Sequence, residues 1–249
     1  MFGALIVGDE ILSGRRVDRH LPKLIELLAA RGLRLGWARY VGDDAELLVR
    51  TLQQTFATGD DVFSFGGIGA TPDDRTRQSA ASALGTGLAL HPEAETLLRA
   101  KFGDTITPHR LQLGTFPVGS EIIPNPFNQV PGFSIRDHFF VPGFPVMAWP
   151  MVEWVLDTRF RALHHADDHV EAAVTVWDAF EGQLIGLMEA ITADSPAVSV
   201  FSLPSVAEGP GDRRSIELGV KGPAAHVADA MARIKAEVDS QGFEWQDKR

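Results

Sequence analysis

Apolar residues fall into two repeating arrangements along this chain. Phe2–Val7 is a short apolar run of strand length. Leu21, Leu24, Ile25 and Leu28 then recur at helical spacing, and Gly32 is a natural stop. Leu35–Val41 predicts a second strand. Asp43 or Asp44 can cap a helix in which Leu48, Leu52, Thr55 and Phe56 share one face. Asp61–Phe65 predicts a third strand, and Arg75–Leu84 and Glu93–Phe102 predict further helices. Short strands separated by helical crossovers imply an α/β domain over residues 1–165, built on a mostly parallel sheet covered on both faces.

A second region starts near Asp168 and runs to residue 249. Val170–Trp177 alternates as a strand, and Glu181–Ile191 has a helical repeat. Ala197–Leu203 and Arg214–Lys221 predict strands joined across Glu208-Gly209-Pro210-Gly211-Asp212, a turn sequence. Ala224–Val238 carries Val227, Met231, Ile234 and Val238 on one helical stripe. The order β-α-β-β-α predicts a smaller ferredoxin-like α+β domain over 168–249. The junction around His164–His169 is polar. His164, His165 and His169 with Asp167 and Asp168 could form a metal site or a plain linker.

Composition narrows the chemistry. The 249 residues are 45% hydrophobic, enough for a well-buried core. A formal net charge of −10 argues against a general nucleic-acid binder. The absence of cysteine excludes disulfides, thiolate metal sites and a cysteine nucleophile. No apolar run approaches membrane-spanning length and Met1–Val7 lacks the features of a signal segment, so no membrane partner and a cytoplasmic location are expected.

The chemistry concentrates at Val62–Thr76. There a strand ends in Gly66-Gly67-Ile68-Gly69, followed by Ala70-Thr71-Pro72-Asp73-Asp74-Arg75-Thr76. Glycines let a backbone approach a ligand closely, and the N–H groups of such turns bind phosphate. Adjacent carboxylates can hold Mg²⁺ or a similar divalent cation, usually shared with substrate phosphate. Asp73 and Asp74 are therefore the candidate metal ligands and catalytic residues. Either could instead cap the helix that follows. Gly66, Gly67 and Gly69 are candidate phosphate-binding residues, with Thr71 and Thr76 as candidate hydroxyl donors. Gly8, Asp9 and Glu10 stand at the end of the first strand, where α/β sheets bind ligands.

These segments carry a resemblance. Gly8-Asp9-Glu10-Ile11-Leu12-Ser13-Gly14 and Gly66–Thr76 are similar to motifs of the molybdopterin-binding domain family of MoaB/MogA type. Within it the chain most resembles the N-terminal part of the competence/damage-inducible protein A (CinA) family. Asn125-Pro126-Phe127-Asn128-Gln129-Val130-Pro131-Gly132-Phe133 and Val141-Pro142-Gly143-Phe144-Pro145 resemble that family's two Pro-Gly loops, which adds Gly143 to the candidate ligand-binding residues. The resemblance implies a three-layer α/β/α fold and a pocket for a small phosphorylated ligand, a molybdopterin or a nucleotide. It also implies a divalent cation, hydrolysis of ADP-ribose- or FAD-like pyrophosphates, and a homo-oligomer, dimer or trimer. It does not extend to the family's C-terminal amidohydrolase domain, whose activity is not expected here. Three positions depart from the family: Val17-Asp18-Arg19-His20 stands where an asparagine pair is usual, Ala70 replaces a proline, and Asn128 replaces a glycine. Those changes leave open a non-catalytic binder or an oligomeric interaction protein. At His20 the residue type suggests a base, a phosphate donor, or a helix-start histidine facing water.

Overall fold

In the computed structural model the chain forms two compact units, Met1–His165 and Ala166–Arg249. The structure describes residues 1–166, 168–205 and 213–248. Asp167 and the Glu208–Asp212 turn lie outside the described residues.

The first unit runs β1 (Phe2–Val7), α1 (Asp9–Leu12), α2 (His20–Ala29), β2 (Leu35–Val41), α3 (Ala45–Phe56), β3 (Asp61–Phe65) and α4 (Thr76–Leu84). It continues through β4 (Leu88–Leu90), α5 (Pro92–Phe102), α6 (Pro108–Leu111), β5 (Thr115–Pro117), β6 (Glu121–Ile123), β7 (Gly132–Ile135), β8 (His138–Val141) and α7 (Pro145–Arg159). Six strands form one sheet in the order β2-β1-β3-β8-β7-β6. β2, β1, β3 and β8 are parallel, and β7 and β6 add an antiparallel edge.

Alternation along the central strands builds the layers. Phe2, Ala4 and Ile6 of β1 face a core shared with Leu24, Leu27 and Leu28 of α2 and Met151, Val152, Val155 and Leu156 of α7. Leu5 and Val7 face the opposite core, with Leu48 and Leu52 of α3, Ala80 of α4, Phe116 of β5, Phe133 of β7 and Phe140 of β8. Side chains of a strand alternate between faces, so a sheet with two apolar faces needs helices on both. The result is a three-layer α/β/α arrangement. Ile25, read as part of the buried face of α2, is exposed, and Leu27 takes its place. The helix predicted from Arg75 starts at Thr76.

The second unit runs β9 (His169–Trp177), α8 (Glu181–Asp194), β10 (Ser199–Ser205), β11 (Ser215–Pro223), α9 (Ala224–Ser240) and β12 (Trp245–Asp247). Its sheet order, β10-β11-β9-β12, is antiparallel throughout. This is the ferredoxin-like topology, completed by a fourth strand that the sequence reading did not contain. Val227, Met231, Ile234 and Val238 of α9 are buried against Val174, Val176 and Leu218. No helix among the described residues is long and apolar enough to cross a membrane.

Candidate functional site

A cavity of about 460 Å³ opens at the carboxyl ends of the parallel strands in the first unit. Such ends are where open α/β sheets place ligands, because the strand-to-helix turns converge there. Gly8, Glu10, Gly66, Gly67, Gly69, Thr71, Asp73, Asp74 and Gly143 all line it. Asp9 and Thr76 do not. Thr76 is fully buried and its hydroxyl donates to the Gly66 carbonyl at 3.0 Å, so it holds the turn and has no hydroxyl to offer a ligand. Asp9 is exposed and exchanges bonds with Asp43: its N–H donates to the Asp43 carboxylate at 3.0 Å, and its carboxylate accepts from the Asp43 N–H at 3.2 Å.

The glycine turn is required by close packing. Gly66 has φ 101°, and a Cβ there would stand 2.4 Å from the Val7 carbonyl oxygen. A Cβ on Gly67 would meet the Thr76 hydroxyl, and one on Gly69 would meet the Asp74 carboxylate at 2.3 Å. The Gly66 N–H is used by Val141 O, whereas those of Gly67, Ile68 and Gly69 donate to no acceptor among the described residues. All three residues line the cavity, and their consecutive N–H groups have no acceptor among the described residues. Asp74 does not cap α4, whose N-cap is Arg75 with no side-chain bond. Its carboxylate accepts from the Thr71 N–H at 2.9 Å and from the Thr71 hydroxyl, which folds the loop back over Gly69.

Several residues of the site were not legible beforehand. Asp44 caps α3, accepting from the Leu47 N–H at 2.7 Å, and this frees Asp43 to face the cavity. Burial pushes the Asp43 carboxyl above its ordinary range, and Asp9, Glu10 and Asp73 push it the same way against the bond from the Asp9 backbone. Its place at the end of β2 was the signal that could have marked it. Arg16 is the one cation lining the cavity among the described residues. Arg77 is buried beneath the turn, where its guanidinium donates to the carbonyls of Gly69, Gln112 and Thr115. Burial lowers its pKa, with Asp74 opposing. A lone arginine inside a helix segment gives no sign in sequence that it is a buried strut.

His20 is buried and does not face water. Its Nε2–H donates to the Gly143 carbonyl at 3.0 Å, and its ring stacks on Phe65 with centroids 4.7 Å apart. Burial lowers its pKa, with the Gly143 bond and Asp18 opposing. Asp18 accepts from the N–H groups of His20 and Leu21 and from the Tyr40 hydroxyl. Burial and then the Asp18 bond push that phenol up to about 12. The segment that departs from the family is therefore a fixed brace under the second Pro-Gly loop. Asn128 is similarly built in: its side-chain oxygen accepts from the Asn125 side-chain amide and from the Val130 N–H, both at 2.9 Å.

Among the described residues, no group of three or more His, Asp or Glu side chains is gathered closely enough to hold a metal alone. That includes His164, whose Nε2–H donates to the Leu156 carbonyl, and His165, which packs on Gly32. The carboxylates at the cavity wall fit a cation held by one or two of them together with water and ligand oxygens, the usual manner for Mg²⁺.

Comparison with known proteins agrees with this geometry. A family model described as "Probable molybdopterin binding domain" matches residues 3–162. A "CinA-like protein" of Geobacter sp. (strain M21) is 35% identical over 198 residues, covering 76% of this chain and 45% of the relative. A "CinA-like protein" of Anaeromyxobacter dehalogenans (strain 2CP-C) is 37% identical over 160 residues, 61% of this chain and 39% of the relative. The chain thus spans less than half the length of these curated relatives. The crystal structure of the protein CinA with unknown function from Thermoplasma acidophilum superposes with a TM-score of 0.57 at 26% identity, over 63% of this chain and 95% of that one. By motif, fold and sequence similarity, the chain belongs to the molybdopterin-binding domain family and is similar to its CinA-like proteins.

Proposed function

We propose that the cavity binds a small phosphorylated ligand, a pterin or a nucleotide, and hydrolyses an ADP-ribose- or FAD-like pyrophosphate with a divalent cation such as Mg²⁺. The observation that carries this is the run of unpaired N–H groups at Gly67, Ile68 and Gly69 beside Asp73 and Asp74 in one cavity. Backbone N–H groups of a glycine turn bind phosphate oxygens without cost from side-chain ordering. Arg16, which also lines the cavity, supplies a cation for a charge-assisted contact.

A bound divalent cation supplies charge neutralisation on the phosphoryl oxygens and a more acidic water. Asp74, held by Thr71, and Asp73 are the carboxylates placed to share it. Asp43, with its raised pKa, is suited to accept the proton of an attacking water. Attack at phosphorus breaks the bridging P–O bond, which for ADP-ribose yields AMP and ribose 5-phosphate.

The test is product analysis with ADP-ribose, FAD and NAD, each with Mg²⁺, Mn²⁺ or Co²⁺, beside Asp74→Asn. Metal-dependent AMP release, reduced at least ~100-fold in the variant, is expected. Undiminished turnover in Asp74→Asn would remove Asp74 from the mechanism. Binding without product under any metal would favour the second reading, a non-catalytic molybdopterin or nucleotide binder. That reading draws on the departures from the family pattern at Asp18, Ala70 and Asn128. In either case a cytoplasmic homo-oligomer, dimer or trimer, is proposed, and sedimentation velocity measures it.

A further inference from the structure

We propose that Phe144 is the specificity-determining residue of this cavity, stacking on a flat heteroaromatic ring attached to the bound phosphate. The inference rests on the phosphate reading above and names the rest of the ligand. The cavity lining is of two kinds. The glycine turn, the carboxylates and Arg16 are polar, while Leu113, Val130, Pro131, Pro142, Phe144 and Met147 are apolar. A phosphate alone would use only the first.

Phe144 is 56% exposed although it lines the cavity. No aromatic ring or cation of the described residues rests on it. Its backbone, by contrast, is held on every side. Pro142 and Pro145 flank its dipeptide. The Gly143 carbonyl is bound by buried His20, and a Cβ on Gly143 would come within 3.4 Å of Gly66 Cα. The Phe144 carbonyl accepts from Met147 N–H and Ala148 N–H, both at 2.9 Å, as the N-cap of α7. An exposed ring on a fixed backbone loses little freedom when it stacks, and every nucleobase or pterin offers it a π-face. The His20 bond thus anchors the residue immediately before Phe144.

The test measures equilibrium binding of ADP, GDP, FMN and inorganic pyrophosphate, with Mg²⁺, to the full chain and to Phe144→Ala, Phe144→Trp and Phe127→Ala. Phe127 is equally exposed but lies off the cavity wall. The expected result is a roughly 10- to 100-fold weaker affinity of Phe144→Ala for the ring-bearing ligand that binds best, from a lost base–aromatic stack. Pyrophosphate affinity should stay within about twofold, and Phe144→Trp should recover the ring-bearing ligand. Phe127→Ala should match the native chain. If the native chain binds pyrophosphate as tightly as every ring-bearing ligand, or if Phe144→Ala keeps its affinity, the stacking role is overturned and the phosphate reading stands. If the native chain binds none of the four, both are overturned.

Discussion

Gly66 and Gly69 illustrate how one residue type serves different ends in a single turn. A methyl on Gly66 would strike the Val7 carbonyl, a backbone atom that cannot move, at a positive φ. A methyl on Gly69 would strike only the movable end of Asp74. Gly66→Ala should therefore fail to give folded protein, whereas Gly69→Ala should melt near the native temperature and lose nucleotide binding; thermal melts beside binding isotherms separate the two. Asp43 makes a second residue-level case. Its pKa is raised in the fold, so its contribution favours the native state at low pH and is lost as pH rises through that raised value. Asp43→Asn should raise the melting temperature at pH 7, with no gain at pH 3 where both states are protonated, and should abolish turnover. The motif made Asp73, Asp74 and the glycines legible from sequence. Asp43 and Arg16 were not, because only folding brings them to the cavity wall with the Gly66–Asp74 turn, tens of residues away, and neither was Arg77, whose partners Gln112 and Thr115 are as distant.

Strands and helices were read unevenly, for identifiable reasons. β1, β3, α3 and α9 carry clean apolar repeats and were found. α7 was missed because Pro145 and Pro150 interrupt a segment that is apolar on more than one side. β7 and β8 hid among loop residues, since each is only four residues long. Yet these strands hold an aromatic stack: Phe133 and Phe140 lie 4.5 Å apart at 9°, with Phe116 of β5 4.8 Å from Phe133. Phe140→Ala should cost about 3–5 kcal/mol, as for other buried phenylalanines. Ile25→Ala, on the exposed face of α2, should stay within about 0.5 kcal/mol. Urea unfolding followed by far-UV circular dichroism measures both.

Across the molecule, acid should undo the first unit through its buried histidines. Burial, with Arg136 adding to it, pushes the His138 pKa down to about 3. Its ring lies 4.0 Å from Phe56, and its Nε2 bonds the Thr55 hydroxyl at 2.8 Å. A depressed histidine contributes stability that is complete above the unfolded value and is lost as pH falls through the folded value. The urea midpoint should thus decline from pH ~6.5 towards pH ~3, the ordinary value being about 6.5, and His138→Leu should flatten that slope. The amino-acid order alone was enough to specify alternating α and β elements, the glycine turn with its two aspartates, and the smaller α+β unit, because hydrophobic period and turn chemistry are local properties. Tertiary packing alone determined that Asp44 caps while Asp43 faces the cavity, that Thr76 turns inward, and that His20 braces the loop carrying Phe144. Those outcomes depend on which groups burial leaves without a partner, and that is fixed only when distant segments meet.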